Sequence, residues 1–184
     1  MNIGSQHHLR LESLQKLIQG FVQLCTLAFF SIFFKLEIRG GESVDKELRD
    51  AHARGKGLLF AANHTHELDA IFVRCMLPLS VYNFPMYYVA MTKDHYQDEK
   101  FGWRRYLYGG TFFRMLGAYP AYLGMRDYQA SLVHHTELLE EGRSVCIFPE
   151  GKISVNVLKP SEPKGGLGFL AVETGTNIIP VRID

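Results

Sequence analysis

Cysteine is scarce in this chain of 184 residues: Cys25, Cys75 and Cys146 stand far apart, odd in number and without a Cys-x-x-Cys pair. Neither a disulfide framework nor a thiolate zinc site is suggested, and a reducing cytosolic setting is the default. Net charge is nearly missing too, since 20 Lys and Arg stand against 19 Asp and Glu, leaving +1. A nucleic-acid binder normally carries a clustered basic excess, so nucleic acid is not an expected partner. There is no internal repeat or low-complexity tract, and no uninterrupted apolar run reaches the twenty or so residues of a standard membrane span.

Apolar residues make up 47% and charged residues 21%, the composition of a globular domain rather than a disordered chain. The longest apolar stretch runs from Leu17 to Phe34, between Arg10 and Lys16 on one side and Lys35 and Arg39 on the other. Eighteen helical residues reach about 27 Å, just short of a hydrocarbon core of roughly 30 Å, and Gln19, Gly20 and Gln23 interrupt the first third. An interfacial or shallowly inserted helix fits best, with a transmembrane helix and an ordinary buried helix as alternatives. No small-x-small cleavage site follows, which argues against a signal peptide. Residues 1–40 therefore read as a membrane-associated segment and residues 41–184 as one domain.

Within that domain, Glu42 to Arg54 reads as a charged surface helix. Leu58 to Ala62 is a short unbroken apolar run suited to a strand covered on both faces. Asp69 to Leu77 is helical and stopped by Pro78, Met86 to Met91 is a strand, and Tyr128 to Glu141 is a helix closed by Gly142. Val145 to Phe148, Gly165 to Thr174 and Ile178 to Ile183 follow as strand, helix and strand. The alternation predicts an α/β fold with a central mixed, largely parallel sheet flanked by helices. Ending at Asp184 straight after a strand, the domain is expected to be incomplete at its C-terminus.

Two clusters carry chemistry. The first is Asn63-His64-Thr65-His66-Glu67-Leu68-Asp69, directly after a buried strand. On one continuous helix, His64 and Asp69 would lie about 140° apart and could not meet. With a turn between them, the carboxylate can hold one imidazole nitrogen while the other takes a proton from a hydroxyl. Alternatively, Asp69 only caps the helix, or His64, His66 and Asp69 ligate a metal as in a metal-dependent hydrolase. The second cluster, Phe148-Pro149-Glu150-Gly151-Lys152, also follows a buried strand. There Glu150 can orient a polar group, Gly151 allows close backbone approach, and Lys152 offers a charge to a phosphate.

Asn63-His64-x4-Asp69, then Phe148-Pro149-Glu150-Gly151, then Ile179-Pro180-Val181, in that order, resemble the glycerolipid acyltransferase family that includes 1-acylglycerol-3-phosphate acyltransferases. The resemblance implies transfer of a fatty acyl group from acyl-CoA or acyl-carrier protein to a hydroxyl of a lysophospholipid or glycerol phosphate. His64 would be the base and Asp69 its orienter, with no metal, cofactor or covalent acyl-enzyme. Glu150, Gly151 and Lys152 would bind the acceptor, and the enzyme would work in phospholipid synthesis or remodelling at the cytoplasmic face of a membrane. Three positions depart from the family pattern. The arginine expected six residues after Gly117 is replaced by Leu123, leaving Arg126 as the nearest phosphate ligand; Lys152-Ile153-Ser154 follows the glycine of the second cluster; and His66 stands where serine is usual. Lys164 falls where the family often carries a basic residue ahead of its next helix, so the resemblance makes it a further candidate phosphate contact. Aromatics crowd Tyr82 to Tyr128, and Trp103, beside Arg104 and Arg105, suits a headgroup interface or an acyl tunnel as well as ordinary packing.

Overall fold

The computed structural model describes residues 3–33, 37–77, 85–91, 97–106, 110–122, 127–154 and 161–184. Helix α1 runs over Ile3–Phe33 and α2 over Gly41–Ala53. Strand β1 (Leu59–Ala62) leads through a turn into α3 (Asp69–Met76), and β2 is Met86–Ala90. Two short 3-10 turns over Glu99–Tyr106, kinked at Gly102, come next. Helix α4 (Thr111–Met115) and strand β3 (Ala118–Pro120) precede α5 (Tyr128–Ser131), α6 (Val133–Glu140), β4 (Ser144–Ile147), α7 (Gly166–Thr174) and β5 (Ile178–Val181).

The five strands form one sheet in the order β3-β2-β4-β1-β5. Every described pairing is parallel, so the antiparallel element of a mixed sheet is not found. Strand periodicity explains the layering, because successive side chains point to opposite faces. Leu58, Phe60 and Ala62 join one core with Leu48 and Ala51 of α2 and Val73 of α3. Leu59 joins the other, with Val145 and Ile147 of β4, Leu139 of α6 and Leu170 of α7. Both faces are thus covered, which is why β1 and β4 read as unbroken apolar runs.

This topology positions the site. Strands β1 and β4 are parallel neighbours, so the segments after their C-terminal ends start side by side. The helix after β1 packs on one face of the sheet and the helix after β4 on the other. Parallel α/β sheets commonly hold ligands outside such strand ends.

Two expectations differ in detail. The helix anticipated over Tyr128 to Glu141 is broken at Leu132, because Ser131 turns aside: its carbonyl accepts from Tyr122 N–H at 3.1 Å and its hydroxyl donates to Tyr122 O at 2.8 Å. The apolar N-terminal stretch is part of a longer helix that begins at Ile3. At 1.5 Å per residue its 31 residues extend roughly 46 Å.

Candidate active site

The turn required between His64 and Asp69 is present. Residues 63–68 leave β1 as loop and turn, and Asp69 opens α3. The Asp69 side chain is wholly buried. Its Oδ2 accepts from His64 Nδ1 at 3.0 Å, from His66 N–H at 2.8 Å and from Thr65 N–H. An ionised carboxylate can only accept, so Nδ1 carries the proton and Nε2 is the nitrogen available for proton transfer. Burial pushes the Asp69 carboxyl up, but the His64 hydrogen bond and the two amides outweigh it and leave it below the ordinary carboxylate range. Asp69 therefore stays an anion at neutral pH. The imidazole is also braced from its face: the Phe148 ring stacks on it with centroids 4.2 Å apart and planes 20° from parallel.

The second cluster meets the first, as the adjacency of β1 and β4 requires. Glu150, buried, accepts at Oε1 from His64 N–H at 3.2 Å. Its Oε2 accepts from the Ser154 hydroxyl and from Ser161 N–H at 3.4 Å. Burial raises the Glu150 carboxyl, but these donors together with the nearby His64 outweigh it and leave it below the usual range. Ser154 N–H in turn donates to His64 O at 2.8 Å. Lys152 and Lys164 are exposed. Gly151 adopts φ 64°, and a Cβ there would come within 2.8 Å of Lys164 Nζ, so glycine lets that ammonium lie across the turn. The Lys164 N–H donates to Pro149 O at 2.8 Å, which fixes this arrangement just ahead of α7. Arg126 lies outside the described residues.

Three residues now at the site were given no role by the sequence. Phe148 and Ser154 lie inside the motif but show no sign of their contacts with His64. Asn63 closes the far side of the loop, donating from Nδ2 to Ile183 O at 2.8 Å and accepting from Ile183 N–H at 2.7 Å. Its pairing with the residues after β5 was foreshadowed only by family order. Glu67, next to the His64–Asp69 pair, is held through both carboxylate oxygens by Arg104 Nη1 at 2.8 Å, tying the aromatic 3-10 segment to this loop.

Among the described residues no three His, Cys, Asp or Glu side chains gather as ligands. Asp69 Oδ2 is engaged by two amides and an imidazole, and His66 Nδ1 lies 3.1 Å from Thr65 Oγ1.

Fold and site together define a parallel α/β protein with a carboxylate-oriented histidine at the C-terminal edge of its sheet. The chain belongs to the acyltransferase family, whose pattern it matches over residues 35–184. Among solved structures it is similar to the crystal structure of the 1-acyl-sn-glycerophosphate (LPA) acyltransferase PlsC from Thermotoga maritima, at 17% identity and a TM-score of 0.44, over 95% of this chain and 73% of that one.

Proposed function

We propose that this acyltransferase moves a fatty acyl group from acyl-CoA or acyl-carrier protein to a hydroxyl of a lysophospholipid or glycerol phosphate. The observation that carries the reading is the His64 Nδ1 to Asp69 Oδ2 bond of 3.0 Å, which leaves Nε2 as the base. A free alcohol is a poor nucleophile near neutral pH, and a positioned base contributes about 10² to 10⁴ in rate. His64 Nε2 takes the hydroxyl proton as the oxygen attacks the thioester carbonyl. The tetrahedral intermediate collapses, the C–S bond breaks, and the imidazolium returns its proton to the leaving thiolate. Asp69, remaining ionised, holds the ring and stabilises the imidazolium. Lys152 and Lys164 supply positive charge for an acceptor phosphate, and Arg126 is the third such group.

The substrate's membrane is met through α1. By length and composition its Leu11–Phe33 portion could cross a bilayer. Its polarity favours lying in the plane instead. Gln15, Gln19 and Gln23, buried and spaced four apart, bind the backbone of the domain: Gln15 Nε2 donates to Arg114 O at 2.7 Å and Gln23 Nε2 to Leu77 O at 2.8 Å. Gln19 both donates to Met86 O at 2.8 Å and accepts from Met86 N–H at 2.9 Å. Opposite them, Leu17, Phe21 and Ile32 are 72%, 69% and 73% exposed. A helix stitched lengthwise to the domain cannot stand across a bilayer without drawing polar backbone in beside it. Lying flat, it presents that apolar face to the acyl chains of one leaflet, at the cytoplasmic side in our reading.

The test incubates the protein in mixed micelles with labelled acyl-CoA or acyl-carrier protein and a panel of lysophospholipids and glycerol phosphate. His64→Ala is expected to lower transfer to the level of the uncatalysed background. Unchanged transfer by this variant would discard the mechanism, and loss of activity on adding a chelator would favour the metal-dependent hydrolase.

A further inference from the structure

Glu150 was expected to touch the acceptor, yet its oxygens are turned to the protein. Oε1 receives the His64 N–H and Oε2 the Ser154 hydroxyl and Ser161 N–H. The loop that begins at Glu150 then returns to the same residue, Ser154 N–H donating to His64 O at 2.8 Å. Both polar groups of the His64 backbone therefore end on one five-residue stretch. Asp69 and Phe148 orient the ring, and Asp69 also holds the two following amides, but neither bonds the backbone N–H or C=O of His64 itself. By contrast Lys152, two residues on, is exposed and free of this geometry.

We propose that Glu150 and Ser154 are positioning residues, a clamp on the His64 backbone that sets where Nε2 meets the acceptor hydroxyl, and that Glu150 is not an acceptor ligand. The proposal rests on His64 acting as the base. A carboxylate suits the task because it accepts several donors at once and none of its partners here is an acceptor alone. Serine suits the other position because its hydroxyl and its amide serve the two ends of the clamp together. A displacement of about 1 Å at a reacting atom can cost about a hundredfold in rate, so loosening this backbone should act on turnover rather than on acceptor affinity.

The experiment measures kcat, acceptor KM and the thermal midpoint of the full chain in mixed micelles, with labelled acyl-CoA and a lysophospholipid. The variants are Glu150→Gln, Ser154→Ala, the double variant and His64→Ala. Each single clamp variant is expected to lower kcat by about ten- to a hundredfold while acceptor KM stays within about twofold. Because both act through one element, the double variant should be no worse than the poorer single by more than about threefold. A raised acceptor KM at unchanged kcat in Glu150→Gln would make it an acceptor ligand and overturn the proposal. So would wild-type turnover in Ser154→Ala, or losses that multiply in the double variant. Should Glu150→Gln not fold, the smaller change Ser154→Ala decides by the same criteria. Turnover surviving in His64→Ala sinks the parent mechanism, whereas an inactive His64→Ala beside fully active clamp variants sinks the clamp alone.

Discussion

Two of the sets of polar side chains taken out of water differ in kind. At the strand ends they are charged, and they converge on one imidazole: Asp69 on its ring, Glu150 on its backbone. Along α1 they are neutral amides, each donating to backbone of the domain it lies on. A buried charge needs several donors to be tolerated, which makes the site stiff and sensitive to substitution. Buried amides cost less and carry no chemistry. They turn the opposite, apolar face of α1 outward. One set holds an imidazole, and the other holds a helix against the domain.

The largest effect should come from breaking the charged set. Asp69→Asn keeps the shape but presents an amide that can donate, so the imidazole loses its fixed tautomer. Turnover is expected to fall by about 10³ to 10⁴, the loss seen when a general base loses its carboxylate. Three donors, from His64, Thr65 and His66, lose an anionic acceptor, so stability falls as well. A progress curve and a urea titration on the same preparation separate the two losses. If turnover dropped only in proportion to stability, the catalytic reading of the charged set would fail.

The neutral set should show the reverse pattern. Replacing Leu17 and Phe21 together by serine removes exposed apolar area without touching the domain, and binding to lipid vesicles is expected to weaken by about tenfold or more. Turnover on substrate dispersed in detergent should remain. Flotation with vesicles checks the first, and the micelle assay the second. Gln19→Leu tests the other face of the same helix. It orphans the Met86 N–H and two carbonyls, and about 1 to 3 kcal/mol of stability should be lost while turnover of the folded fraction changes little.

The same contrast explains what could be read from the sequence. Strands β1 and β4 were legible because both faces are covered, so each appears as a bare apolar run followed by polar residues. The dyad was legible because helical geometry forbids His64 and Asp69 from meeting without a turn. The glutamines were visible as interruptions of an apolar stretch, yet their meaning depends on which surface α1 lies against, and no local pattern records that. The same holds for Ser131, whose bond to Tyr122 breaks a helix that periodicity alone would continue. Strand β3, helix α4 and the 3-10 turns sit in an aromatic-rich stretch without a period, and they were missed. Glu150 was expected beside an acceptor, but its partners come from residues 64, 154 and 161, and the parallel pairing of β1 and β4 is what brings it to His64.

The smallest effect separates the two sets by pH. Amides do not titrate, so the anchoring of α1 by its glutamines should be indifferent to acid, while the domain beneath carries groups that are not. His135 of α6 is wholly enclosed, and burial pushes its imidazole down to about 4, against about 6.5 in an unfolded chain. Between those values the unfolded chain binds a proton that the folded one refuses. Stability is therefore lost as pH falls through that window, by at most about 1.4 kcal/mol per pH unit for one proton. Asp69 and Glu150, both held below their ordinary range, contribute stability above roughly pH 4 and lose it only below. Urea midpoints at pH 7, 6 and 5 should decline in the wild type, and the decline should flatten in His135→Leu, whose core position no longer titrates. A decline of equal slope in both proteins would assign the acid sensitivity to other groups and leave the enclosed imidazole without a part in it.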